Sequence, residues 1–411
     1  MIRSFFITGL IVCGTLGAWA QTASDYNNLG IKAYDTGQYD FALQHFMKAY
    51  ELTPENKTIR RNMCNAHQAK ANLLAKTADF ASAAEHLRTA ITVDPENASP
   101  LIQLGSYYLR LDMVTDAVFR LEEAIELVPG NLNAHELLGR AYYDDNDHEH
   151  AMEQLGYVLK IDPNRDGLQE LFEKAQREAV VEKDFKSRNG RNFKMTFPKD
   201  IPYSMQNSVE RILNKAYYSI GQKFGGVFPP EPVQVIFYGA NEFQQATQLG
   251  NHVGAVFDGK IRCPLTDVQG NWLSEKELSE RLTHEYVHVV VRNMAGEHAP
   301  WWLNEGLAEV LSGNLDADMS EMLQRMYSEA LDFDLKALEG EQLTKLKPES
   351  LKLAYLQSHA TVSFLQKKWG NQRMKQMMDF LATGIPAEDA LSRVYKKDYA
   401  TLARDVAMTY N

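Results

Sequence analysis

The chain has 411 residues, with 54 Asp and Glu against 43 Lys and Arg, a formal net charge of -11. That balance argues against a nucleic-acid partner, because phosphate binding needs a basic surface, and no tract of Lys or Arg suggests a membrane-surface patch. The length fits two globular domains, and three cysteines are too few for a small disulfide-stapled scaffold.

Residues 1–20 read as a secretory signal. Arg3 supplies the positive start, Phe5 to Val12 the apolar core, and Ala18-Trp19-Ala20 a cleavage site before Gln21. The apolar run is too short to span a bilayer. A lipid anchor on Cys13 fits less well, because Val12 stands where a small residue is wanted. The mature chain is therefore expected in the periplasm or outside the cell, with no membrane span. Cys64 and Cys263 remain, and they are expected as buried thiols in different domains rather than as a disulfide.

Residues 23–165 carry a repeat. Pro54, Pro95, Pro129 and Pro163 close successive units at spacings of 41, 34 and 34 residues. Ala42, Ala83, Ala117 and Ala151 recur in register, and Leu29-Gly30, Leu104-Gly105 and Leu138-Gly139 mark the first helix of three units. The period is that of tetratricopeptide repeats, and the pattern resembles that family. The second unit departs from it, with seven extra residues near Arg61 to Ala66 and Ala71 where Gly is usual, so its first helix should be longer. One helix pair cannot bury its apolar face alone, so the units should stack as a solenoid, with a helix over about Gly167 to Lys186 capping it through a more polar outer face. Such a stack presents a curved groove suited to a protein partner.

The polar stretch Lys186 to Asn192 suggests the domain boundary, giving a repeat domain over 21–187 and a second domain over 188–411. Phe193 to Phe197 and Val233 to Tyr238 read as strands, Tyr203 to Phe224 as an amphipathic helix, and Val253 to Phe257 with Lys260 to Pro264 as a hairpin around Asp258-Gly259. His252, just before the hairpin, reads as a surface residue.

The chemistry concentrates in Thr283 to Glu309, T-H-E-Y-V-H-V-V-V-R-N-M-A-G-E-H-A-P-W-W-L-N-E-G-L-A-E. Tyr286 to Val291 is rich in β-branched residues and could pass for a buried strand. Ser274-x-x-Glu277 is a capping box, however, and Leu278 and Leu282 follow at helical spacing. On a helix His284 and His288 share a face and can offer two imidazoles to one zinc ion. Glu285, at the edge of that face, is placed to take a proton from a zinc-activated water. The third ligand should be Glu305 on a second helix, with Pro300 in its first turn and Gly313 at its end. Glu309, four residues on, would accept the spare N–H of a ligand histidine. Small Gly306 and Ala308 would let the two helices approach.

HExxH followed by W-L-x-E-G-x-A-E resembles the gluzincin clan, and within it the bacterial peptidase MA-like domains. The resemblance covers roughly residues 190–411. It implies an α+β zincin-like metallopeptidase domain behind an α-solenoid of tetratricopeptide repeats. It implies zinc on His284, His288 and Glu305, Glu285 as general base, Glu309 as the acid behind the ligands, and a peptide or protein substrate. One hairpin arm would bind substrate main chain as an added strand. The metzincin pattern fails, because its Gly and His positions are Val291 and Met294. Ala354-Tyr355-x-Gln357-Ser358 also looks like the MA-like group, where a phenol or imidazole could donate to the oxyanion. Tyr355 is the candidate, with His359 behind it, and core packing is the competing role for Tyr355. His298 reads as a surface residue, and Gly384 to Asn411 as small helices closing the domain. Two other functions remain open at this stage: a non-catalytic tetratricopeptide interaction protein with a vestigial peptidase fold, and a zinc hydrolase acting on a non-peptide amide of the cell envelope.

Overall fold

The computed structural model describes residues 21–250, 253–313, 317–340 and 346–410. The expected signal over 1–20, with Cys13, and the expected surface residue His252 lie outside them. The described residues form two compact units, one within 21–70 and 89–95 and the other within 71–88 and 96–410. Among the described residues no helix is long and apolar enough to cross a membrane.

The repeat helices are α1 (Ala23–Asp35), α2 (Tyr39–Leu52), α3 (Lys57–Ala75), α4 (Phe80–Val93), α5 (Ala98–Arg110), α6 (Val114–Leu127), α7 (Leu132–Asp144), α8 (His148–Ile161) and α9 (Leu168–Glu182). The second unit does open on a longer helix: α3 has 19 residues, against 13 in α1, α5 and α7. The first compact unit packs Ala42, Phe46, Met63, Ala66 and Val93 together, and Arg61 pairs with Asp94 at its edge. In the second, Ala83, Ala117 and Ala151 are fully buried, as the repeat register requires. Gly105 and Gly139 allow close approach within a pair: a Cβ there would come within 2.6 Å of Leu121 and Leu155. Cys64 and Cys263 are both buried.

The rest of the second unit is built on a five-stranded sheet. Its strands are β1 (Lys186–Asn189), β2 (Phe193–Phe197), β3 (Val233–Tyr238), β4 (Val256–Phe257) and β5 (Ile261–Pro264), in the order β1-β2-β3-β5-β4. The pairs β1–β2 and β4–β5 are antiparallel, and β2–β3 and β3–β5 are parallel. The stretch expected as a polar boundary thus supplies an edge strand, β1. The hairpin forms, but its first arm is shorter than expected, because the Gly254 carbonyl accepts from Arg281 Nη1 (3.1 Å) instead of joining a ladder.

Period-2 alternation sorts the sheet faces. Val233, Val235, Phe237, Ile261 and Cys263 face a core shared with α10 (Tyr203–Lys223) and α12 (Glu275–Ala295). Burial in that core pushes the Cys263 thiol up to about 12. Ile236 and Tyr238 turn the other way, towards α11 (Ala240–Thr247) and Val181 of α9. The large core is completed by α13 (Trp301–Ser312), α14 (Ala317–Ser328), α15 (Pro348–Ala382), α16 (Ala387–Tyr395) and α17 (Tyr399–Ala407). Helix α15 breaks at Gly370 (φ 76°). This is a helical repeat solenoid followed by an α+β domain.

Arg262 sits on the α9 side of β5 and is fully buried. Its Nη2 donates to Glu178 Oε2 (2.9 Å) and to Tyr143 Oη (3.2 Å), and its Nη1 donates to Tyr238 Oη (2.6 Å) and Glu182 Oε1 (3.4 Å). Nε reaches Asp258 in the β4–β5 turn (3.2 Å), and Lys174 of α9 donates to the same carboxylate (2.6 Å). The polar outer face expected of the capping helix is present at the exposed Gln169, Glu170, Glu173 and Gln176, while Glu178 and Glu182 are buried against the sheet.

Burial alone would raise the Glu182 and Asp258 carboxyls. A hydrogen bond from His148 and the Arg262 charge outweigh it for Glu182, and Arg262 with Lys174 outweighs it for Asp258, so both are held at about 2. A carboxyl depressed in the folded state stabilises it fully above the ordinary pKa, and the contribution is lost as pH falls through the folded value. The urea midpoint should therefore drop between the ordinary values of 4.5 and 3.8 and about pH 2. Arg262→Met should cost about 3–5 kcal/mol at neutral pH, because it strands two buried carboxylates. An unchanged midpoint in that variant would show that the cluster carries no stability.

Candidate metal centre

Helix α12 starts on the anticipated cap: the Ser274 side chain accepts from Glu277 N–H, and the Glu277 carboxylate accepts from Ser274 N–H (2.9 Å). Tyr286, Val287 and Val290 are fully buried, so the β-branched run fills the core face of a helix and is not a strand. The opposite side carries His284 and His288 one turn apart, with ring centroids 4.9 Å apart. Helix α13 faces them. Pro300 lies just before its first turn rather than in it, with extended backbone (ψ 149°), and its carbonyl accepts from Leu303 and Asn304. Gly313 follows the last turn. Gly306 does not meet α12. It lies against α15, where a Cβ would stand 2.4 Å from the Ser358 carbonyl oxygen.

This packing brings His284, His288 and Glu305 together, with one potential ligand atom from each inside 4.8 Å of the others. Glu305 Oε2 is 3.4 Å from His284 Nε2 and 3.6 Å from His288 Nε2. That oxygen is buried and makes no hydrogen bond among the described residues. Two imidazole nitrogens and a carboxylate oxygen around an unfilled acceptor form a donor set that suits zinc. Behind it, His288 Nδ1 lies 2.9 Å from Asn304 Oδ1, which orients that ring with Nε2 inward. Glu309 Oε1 stands 3.6 Å from His284 Nδ1, a charge contact too long for the expected hydrogen bond. The sequence reading missed Asn304. The available signal was a polar side chain beside Glu305 on an otherwise apolar helix.

The charges are strongly coupled. Burial would lower the His284 pKa, but Glu305, Glu285 and Glu309 together hold it up at about 9. Burial would raise Glu305, yet His284 and His288 pull it below its ordinary value. For Glu285 burial wins: its pKa is raised despite both histidines and the Phe257 main-chain N–H directed at it. Burial likewise raises Glu309.

A cavity of about 550 Å³ opens beside these groups. His284, Glu285, His288 and Glu305 line it with Val256 and Phe257 of edge strand β4 and with Tyr355 of α15. The Tyr355 ring packs edge-on against Trp301 (5.0 Å between centroids). Its pKa is raised, first by burial and then by the nearby Glu305, Glu309 and Glu285 charges. His359 is buried one turn further along, is not part of the cavity wall, and is pushed down to about 4 by burial. His298 is exposed. Gly306→Ala should lower unfolding stability by about 1–3 kcal/mol, because α13 must move off α15. Stability within about 0.5 kcal/mol of wild type would show that α13 is not seated there.

Among known proteins, residues 221–409 match the family described as Peptidase MA superfamily, and residues 102–166 match tetratricopeptide repeat. No curated protein matches the chain. Similar solved structures include residues 41 to the end of MamA from Desulfovibrio magneticus RS-1, at 21% identity over 35% of this chain and 78% of that one, TM-score 0.27. Another is pilF of Pseudomonas aeruginosa, at 24% identity over 38% and 70%, TM-score 0.29. A third is YrrB, titled a TPR protein with an unusual peptide-binding site, at 19% identity over 38% and 91%, TM-score 0.26. The carboxy-terminal part of the chain is thus a Peptidase MA superfamily domain, preceded by tetratricopeptide repeats.

Proposed function

We propose that the chain is an exported zinc metallopeptidase, with its repeats serving to dock a protein substrate or partner. The observation that carries the reading is the convergence of His284, His288 and a hydrogen-bond-deprived Glu305 beside Glu285 in an open cavity. Zinc, when bound by those three residues, would lower the pKa of a water and polarise the scissile carbonyl. Glu285 accepts the proton of the attacking water and delivers it to the leaving amine, a task its raised pKa suits. Asn304 holds the His288 ring, and Glu309 keeps a negative charge on the outer side of His284. The Tyr355 hydroxyl donates to the developing oxyanion. Edge strand β4 has a free side on which substrate main chain can pair. Export rests on the signal-like residues 1–20.

Elemental analysis of the purified mature chain should find about one zinc per chain, lost in Glu305→Ala. No zinc in wild type, even after reloading, would remove the enzyme reading. Asn304→Ala should retain zinc but bind it roughly 10–100-fold more weakly in a chelator competition. Glu285→Gln should keep zinc and abolish peptide cleavage, and cleavage at the wild-type rate would discard Glu285 as the base.

A further inference from the structure

A second cavity, of about 390 Å³, shares Phe257 and Arg292 as walls with the catalytic cavity. Phe257 is the residue whose main-chain N–H is directed at Glu285, and Arg292 lies over its ring (5.9 Å). The repeats contribute the other side from helix ends and turns: Asp112 follows α5, Asp144 ends α7 and Asp145 follows it. Glu231, ahead of β3, adds a fourth carboxylate, and the cations in the lining are Lys194 and Arg292.

Three of the four acids are accounted for. Asp145 accepts from Lys194 Nζ (2.9 Å), Asp112 lies 3.7 Å from Arg292, and Glu231 accepts from the Thr115 N–H (3.3 Å). No hydrogen bond or ion pair among the described residues reaches Asp144. Burial raises its pKa to about 6, although Lys260, Arg292 and Arg140 oppose the shift and Asp112 adds to it. It also ends a helix, where the carbonyl ends of the peptide dipoles disfavour negative charge. A partly buried carboxylate in that position is stabilised by an incoming cation, and the cavity has room for one.

We propose that this cavity is a substrate subsite that takes a Lys or Arg side chain of a peptide bound in the catalytic cleft, with Asp144 as its partner. The inference rests on the peptidase reading for its substrate. It makes the repeat turns part of the specificity machinery, selecting a basic residue at a fixed distance from the scissile bond.

The test uses the zinc-loaded full mature chain and fluorescent decapeptides of one sequence, in which a single Lys or norleucine is walked through the positions. Cleavage is read as kcat/KM, and binding by anisotropy with the Glu285→Gln chain. At one position Lys should be preferred to norleucine by about tenfold in both readouts, and Asp144→Asn should bring that ratio to about one. No position preferring Lys, or a preference that survives Asp144→Asn, overturns the subsite. Cleavage without any Lys preference removes the subsite and keeps the peptidase. Asp144-dependent binding without cleavage keeps the subsite and removes the peptidase, and neither binding nor cleavage removes both.

Discussion

A guanidinium with no exposure to water must find carboxylates, and for Arg262 they come from a helix that the repeat pattern assigns to the other half of the chain. Glu178 and Glu182 lie on α9, and Arg262 lies on β5. The attraction is large only because water is absent, and the same absence makes any other arrangement expensive. A slip of β5 by one residue would turn Ile261 or Cys263 towards Glu178 and send Arg262 into the apolar core. The cluster therefore sets register as much as it adds stability. Helix α9 belongs to the solenoid by sequence pattern and to the sheet by packing. Because β5 pairs with β4, the same contacts hold the strand that borders the cavity beside His284 and His288.

Within that cavity two carboxylates that are close in space are driven apart in acidity. Both are buried, and burial pushes both up. Glu305 faces both imidazoles, which pull its pKa below the ordinary value. Glu285 feels the same histidines more weakly than its desolvation, so it is the better proton acceptor of the pair. Glu285 on α12 and Glu305 on α13 thus share a cavity but not an environment, and their acidities separate.

Much of this was legible because it is local. The capping box before α12, the four-residue spacing of the histidines and the proline period of the repeats each depend on neighbours within a turn or a unit, and β2, β3 and α10 follow from alternation and amphipathicity. What was illegible is long-range. Glu178 and Arg262 are 84 residues apart, so an acidic helix face reads as solvated until its partner is known. Gly306 invites a close contact without saying with which helix, and the answer, α15, lies beyond a further helix in the chain. Lys186 to Asn189 lacks the apolar alternation of a strand because β1 is an edge whose side chains stay largely in water.

The acids around the second cavity show how far local reasons reach. Asp112 occupies the left-handed region (φ 53°), which short polar side chains tolerate better than most, so turn chemistry alone accounts for it. Asp145 is tied to Lys194 and Gln234, which joins the α7–α8 turn to the sheet. Asp144 has no such reason. It is not in a left-handed turn, no ion pair among the described residues reaches its carboxylate although Lys260, Arg292 and Arg140 act on it from further off, and it lies at the unfavourable end of a helix dipole. A residue whose own fold disfavours its charge is explained more economically by what it meets than by what it supports. The turns of a repeat protein are free to vary without disturbing the stack, which makes them a natural place to build such a wall beside a second cavity.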